Sequence, residues 1–154
     1  MPLVLTSPAF ADGEKLSDKY ARMTRNISPP LRWGGVPEGT RSFALMLEDP
    51  DAPQGTFHHW CLFNLPADWE ELPENAEQGS DRDQLRVAKN DFGNTHYDGP
   101  QPPEGDPPHR YRFRLVALDV PSLSVPAAAG AQDVWAEVEK HAIEEARIEG
   151  TFAL

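Results

Sequence analysis

Two apolar runs separated by a very short polar insert constrain this chain more than any other stretch. Residues Phe43 to Leu65 read FALMLEDPDAPQGTFHHWCLFNL. Phe43, Leu45 and Leu47 alternate along the first run while Ala44 and Met46 fill its other face, and the second run, Trp60 to Leu65, is also apolar on both faces. Runs of this length, without helical spacing and bounded by Pro and Gly, read as strands covered on both sides. The insert from Asp49 to Thr56 is too short for a crossover helix, so the two strands are expected to be antiparallel neighbours. Asp49 and Asp51 then leave the first strand beside His58 and His59 entering the second. Asp49 is in phase with Leu45 and Leu47, and a carboxylate aimed at a core face needs a partner or a purpose.

The rest of the chain supplies further strands and one helix. Leu3 to Thr6 and Leu85 to Ala88 read as short strands. Ile27 to Trp33 is extended because residues before Pro are pushed out of the helical region, with Trp33 as a core anchor. Trp69 and Leu72 would tack down the acidic, irregular segment from Pro66 to Asp83. Asn90 to Pro108 is rich in Gly and Pro, so neither a helix nor a central strand is expected there. Such a long structureless connection is usually functional or disordered. The cleanest strand follows it: His109, Tyr111, Phe113, Leu115 and Ala117 share a core-facing side, and Arg110, Arg112 and Arg114 share the other. Gln132 to about Glu145 has helical spacing in Val134, Val138 and Ala142, joined by Trp135, with Asp133 and Glu137 near its positive end. A final strand is expected from Arg147 to Leu154. Without βαβ units or repeats, the reading is mainly β and antiparallel with a C-terminal peripheral helix. Residues 1–154 are expected to form one domain, large enough to bury roughly 70% of its unfolded surface.

Fourteen basic residues against 25 acidic ones give a net charge of -11. Such a surface repels nucleic-acid phosphates and anionic bilayers, which argues against a general electrostatic role with either. The single cysteine, Cys61, lies inside an apolar strand and reads as a small inert core residue. The stretch MPLVLTSPAF has neither a positive n-region nor a long apolar run and reads as neither a signal peptide nor a membrane span, so the expected localisation is cytoplasmic.

Asp49, Asp51, His59, His109 and Tyr111 form the main candidate constellation. It closes only if the His109 strand starts at the same sheet end as the hairpin insert. A carboxylate beside an imidazole favours the charged ring, and two such rings, a Tyr hydroxyl and loop N–H groups could hold a phosphate or carboxylate. The bland alternative has the aspartates capping turns and the histidines satisfied in the core. A third reading is general acid–base catalysis, a phosphoester hydrolase working through activated water, since no nucleophile-elbow Ser or Cys is present. A fourth is a zinc-like site of Asp49, His59 and His109; His58 and His59 are adjacent and point to opposite strand faces, so they cannot chelate together. Asp91-Phe92-Gly93 matches a kinase tripeptide only by chance, because no nucleotide loop or strand Lys motif precedes it.

Over nearly its full length the chain resembles the phosphatidylethanolamine-binding protein family, and within it the bacterial Raf-kinase-inhibitor-like branch. The resemblance rests on Ile27-Ser28-Pro29-Pro30-Leu31-Arg32-Trp33, Asp49-Pro50-Asp51-Ala52-Pro53 and His59-Trp60 followed by Asn64-Leu65-Pro66. It continues through Asp91-Phe92-Gly93, Tyr97-Asp98-Gly99-Pro100-Gln101-Pro102-Pro103 and His109-Arg110-Tyr111. Each motif is weak alone; their order and spacing are specific. Phe57 departs from the Trp that many relatives carry before the His pair, and Gln101 from the Cys that some carry in the Gly-Pro-x-Pro-Pro run.

The resemblance implies a large antiparallel sheet packed on a smaller one, with an anion pocket at one end. Asp49, Asp51, Pro53, His59, Gly99, Pro103, His109 and Tyr111 would line it. His59 and His109 would donate, Asp49 and Asp51 would orient and charge them, and Tyr111 would add a hydroxyl. It implies a soluble binding protein for phosphate or phosphorylated headgroups, with no cofactor, no metal and no reaction established for the family as a whole. Several family members act by binding and inhibiting kinases or proteases, so the resemblance allows such a protein partner, the kinase-inhibitor role being the least transferable because fold and pocket do not fix the partner. It also allows a homodimer, for which the sequence carries no interface signature.

Overall fold

The structure, a computed structural model, describes residues 2–154. Its strands are β1 (Val4–Thr6), β2 (Leu31–Gly34), β3 (Ser42–Asp49), β4 (Phe57–Pro66), β5 (Glu71–Leu72), β6 (Arg86–Val87), β7 (His109–Leu118) and β8 (Ala142–Phe152), with helix α1 at Ala131–His141. The larger sheet has the order β6-β4-β3-β7-β8 and the smaller one β1-β2-β5. All the named strand pairs are antiparallel. The fold is therefore a mainly β sandwich with one C-terminal helix.

Strand β3 lies at the centre of the larger sheet and is buried along its whole length. One face carries Phe43, Leu45 and Leu47, which pack with Trp60, Leu62, Phe113 and Leu115 against Leu5, Leu31, Trp33 and Leu72 of the smaller sheet. The other face carries Ala44 and Met46, which with Cys61 and Val116 pack on Val134, Trp135 and Val138 of α1. Two covered faces explain why β3 shows no polar alternation. Burial pushes the Cys61 thiol up to about 12, as expected of an inert core residue.

Helix and tail differ from the sequence reading. The helix ends at His141 rather than near Glu145, and β8 begins at Ala142 rather than Arg147. Ala142 already has extended dihedrals, and Ala142, Glu144 and Glu145 pair with Leu118, Ala117 and Val116 of β7. Ladder pairing along an open β7 edge outweighs the helical propensity of the Glu-Glu-Ala-Arg run.

The arginine face of β7 finds acidic partners. Glu48 is buried and accepts from Arg112 (2.8 Å) and Arg114 (3.0 Å), whose hydrogen bonds hold its carboxyl below the usual range despite burial. Arg114 also lies over the Trp135 ring, tying α1 to the sheet.

Candidate functional site

The hairpin insert, the start of β7 and the loop after Asn90 meet at one end of the larger sheet. They enclose a recess of about 200 Å³ lined by Asp49, Ala52, Pro53, Phe57, His59, Phe92, Gln101, Pro102, Pro103 and His109. A strand irregularity helps to build it. Along β3 and β4 the ladder passes from Leu47 opposite Trp60 to Glu48 opposite His58, leaving His59 as an extra residue. A bulge of this kind re-aims its side chain. His59 turns into the recess, while His58 goes to the α1 side with Glu48, Arg114 and Trp135.

The two recess histidines are shifted in opposite directions. His109 is buried and donates from Nδ1 to Asp49 Oδ2 (2.6 Å) and from Nε2 to Asp106 Oδ2 (3.0 Å). Burial disfavours its charge, but the two carboxylates outweigh burial and raise its pKa. With an acceptor-only carboxylate at each ring nitrogen, the doubly protonated imidazolium is the favoured form. His59 donates from Nδ1 to the Asp98 carbonyl at 2.9 Å. Its burial outweighs that bond and the nearby carboxylates, so its pKa is lowered and the neutral ring is favoured. Its Nε2 is then an acceptor until the ring gains a proton.

Tyr111 is fully buried between them, edge-on to His59 at 5.5 Å and stacked with His109 at 6.4 Å between ring centroids. Burial and the nearby Asp49 charge raise its pKa. Its hydroxyl lies near the Asp49 carboxyl and the Gln101 amide, but among the described residues it meets strict hydrogen-bond geometry with neither. Such groups are uncommon and call for an explanation.

The loop wall is organised by buried Asn90 and Asp98. Asn90 Nδ2 donates toward the His59 and His96 carbonyls and Asp98 Oδ2, while its Oδ1 accepts from the Phe92 and Asn94 amides. Asp98 also accepts from Asn94, Asn26 and Arg22; burial opposes its charge, but these bonds hold its pKa below the ordinary value. Arg22 reaches further, donating to Gln101 Oε1 (2.9 Å) with its guanidinium 4.1 Å from the centre of the Phe92 ring. It thereby fastens two recess walls together.

Of the residues singled out from sequence, Asp49, Pro53, His59, Pro103 and His109 line the recess and Tyr111 lies beneath it. Asp51 has a different partner from the one expected. Its carboxylate accepts from the Arg110 amide, Nε and NH2, and this guanidinium pulls it down to about 2. The Asp51 amide, in turn, donates to Asp49 Oδ1 (2.8 Å). Gly99 stands behind the wall, where a Cβ would come 1.8 Å from the Tyr20 carbonyl oxygen. Phe92, Asp106, Asn90 and Arg22 had not been singled out as site residues. Asp106 had a faint signal, three residues before His109 and after a turn glycine, Gly105. Among the described residues, no group of three or more His, Cys, Asp or Glu side chains is arranged to hold a metal ion, and no helix is long and apolar enough to cross a membrane.

The family model described as phosphatidylethanolamine-binding protein matches residues 6–153. A UPF0098 protein of Aquifex aeolicus is 39% identical over 146 residues, 95% of this chain and 85% of that protein. The crystal structure of YbcL from Escherichia coli superposes with a TM-score of 0.90 at 32% identity, covering 100% of this chain and 99% of YbcL. A phosphatidylethanolamine-binding protein homologue from Chlamydia trachomatis gives 0.87 at 33% identity, covering 99% and 98% of the two chains.

Proposed function

This chain belongs to the phosphatidylethanolamine-binding protein family, and on that footing we propose that its recess is a binding site for phosphate or a phosphorylated headgroup. The observation that carries the reading is the pair of rings, His59 and His109, that line one recess with opposite pKa shifts, above the buried Tyr111 hydroxyl. A bound oxyanion would accept from these rings, and a charged His109 supplies attraction inside a partly desolvated site, where it counts for more than in water. The apolar walls from Pro53, Phe57, Phe92, Pro102 and Pro103 suit the substituent of a monoester. His59 becomes a second donor only by taking up a proton, so binding is coupled to protonation.

Isothermal titration with phosphoethanolamine between about pH 5 and 8, where histidine titrates, tests this. Affinity should fall as pH rises and should be lost in His59→Ala; a flat profile, or full affinity in the variant, contradicts it. A charged His109 held by Asp49, beside a neutral His59 whose Nε2 can accept a proton, also has the arrangement of a general acid and a general base, which favours phosphoester hydrolysis as the competing reading. Turnover of a generic phosphomonoester that disappears in His109→Ala would replace binding with catalysis.

A further inference from the structure

The acceptor on His109 Nε2 comes from the chain itself. Asp106 Oδ2 receives that N–H at 3.0 Å, as an oxygen of a bound phosphate or carboxylate would. Its position is a consequence of the loop. The Asp106 amide donates to the Pro103 carbonyl (3.2 Å), Gly105 takes a left-handed φ of +88°, and Pro107 and Pro108 stiffen the return to β7. Asp106 is unlike the other acidic group on this ring. Asp49 is buried on β3 and holds Nδ1, whereas the Asp106 side chain is 38% exposed and joined to the ring through an irregular loop. Water can take over its solvation when it leaves, which a buried carboxylate lacks.

We propose that Asp106 is an internal anionic ligand of the recess, which an incoming phosphate or carboxylate must displace from His109 Nε2. The inference rests on the reading of the recess as an anion site and adds its regulation. Exchange of one anionic oxygen for another keeps an acceptor on Nε2, so the imidazolium is never left without its second acceptor. Asp106 also sets selectivity, because an anion that cannot outcompete a tethered carboxylate does not enter. A site closed by its own ligand about nine-tenths of the time binds about ten-fold more weakly than the open form.

The test titrates inorganic phosphate at pH 6 into the wild type, Asp106→Asn and Glu104→Gln. Glu104 is exposed on the same loop, so its variant removes the same charge without touching the ring. The account expects about ten-fold tighter binding in Asp106→Asn and less than two-fold change in Glu104→Gln. In the unliganded protein, the His109 ring followed by NMR should titrate at lower pH in Asp106→Asn, confirming that the contact exists in solution. If phosphate binds the wild type and both variants alike, the internal-ligand proposal is overturned while the anion site stands. Equal tightening in both variants also overturns it, because loop charge alone would then be responsible. If phosphate binds none of the three, the reading of the recess falls, and this proposal with it.

Discussion

His109 Nδ1 stands 2.6 Å from Asp49 Oδ2, joining the first residue of β7 to the last residue of β3. The carboxylate that leaves a fully buried strand at a core-facing position thus has its partner. This contact and the opposite shift of His59 make stability depend on pH in two directions. Folding raises the pKa of His109, so its contribution is fully present below the unfolded value of about 6.5 and is lost as pH rises through the folded value. Folding lowers the pKa of His59, so its contribution is present above about 6.5 and is lost as pH falls.

Urea unfolding of Asp49→Asn and His59→Gln separates the two. Asp49→Asn should weaken the part of the stability profile that declines with rising pH, since Asp106 alone then holds the ring. His59→Gln should lose the part that declines on acidification. Variants whose profiles parallel the wild type would contradict the assignment of charge states.

Tyr111→Phe should move stability and binding in opposite senses. Removing a buried hydroxyl that meets strict hydrogen-bond geometry with no neighbour relieves a desolvation cost, so the free protein should be unchanged or more stable by about 1 kcal/mol. Phosphate affinity should fall by a similar free energy, about five- to ten-fold. The measurements are urea unfolding and isothermal titration on the same preparation. Loss of stability would show that the hydroxyl already has a partner in the free protein.

Gly99→Ala tests the wall from behind. The new methyl would overlap the Tyr20 carbonyl, which is backbone and cannot swing aside, and would also press on the Tyr97 hydroxyl. The loop from Tyr97 to Pro103 must then shift. Destabilisation of about 3 kcal/mol is expected, together with weaker phosphate binding because Gln101, Pro102 and Pro103 move with the loop. A variant as stable as the wild type would mean that the Gly99–Tyr20 contact is looser than described.

Much of this was legible because single-strand patterns carry it. The alternation from His109 to Ala117 named the core face of β7, and the parity of Asp49 with Leu47 placed its carboxylate. The bulge at His59 was not legible, because register is a property of two strands and neither sequence alone records where a ladder slips. Asp51 was assigned to the imidazoles, although Arg110, beside His109 in sequence, provides a fixed two-nitrogen fork better suited to a carboxylate. Asp106 and Arg22 went unseen because both lie in irregular chain, where no periodicity relates sequence distance to spatial distance. The start of β8 was misread for another reason: residues 142–147 favour a helix locally, and only the β7 edge makes them a strand.

The most direct test follows the ring nitrogens of His59 and His109 by NMR while inorganic phosphate is added at pH 6. The account predicts saturable shifts at both rings with one common dissociation constant, His59 moving toward the protonated form, and neither response in His109→Ala. Rings that remain unmoved while phosphate binds elsewhere, or that shift without saturating, would contradict it.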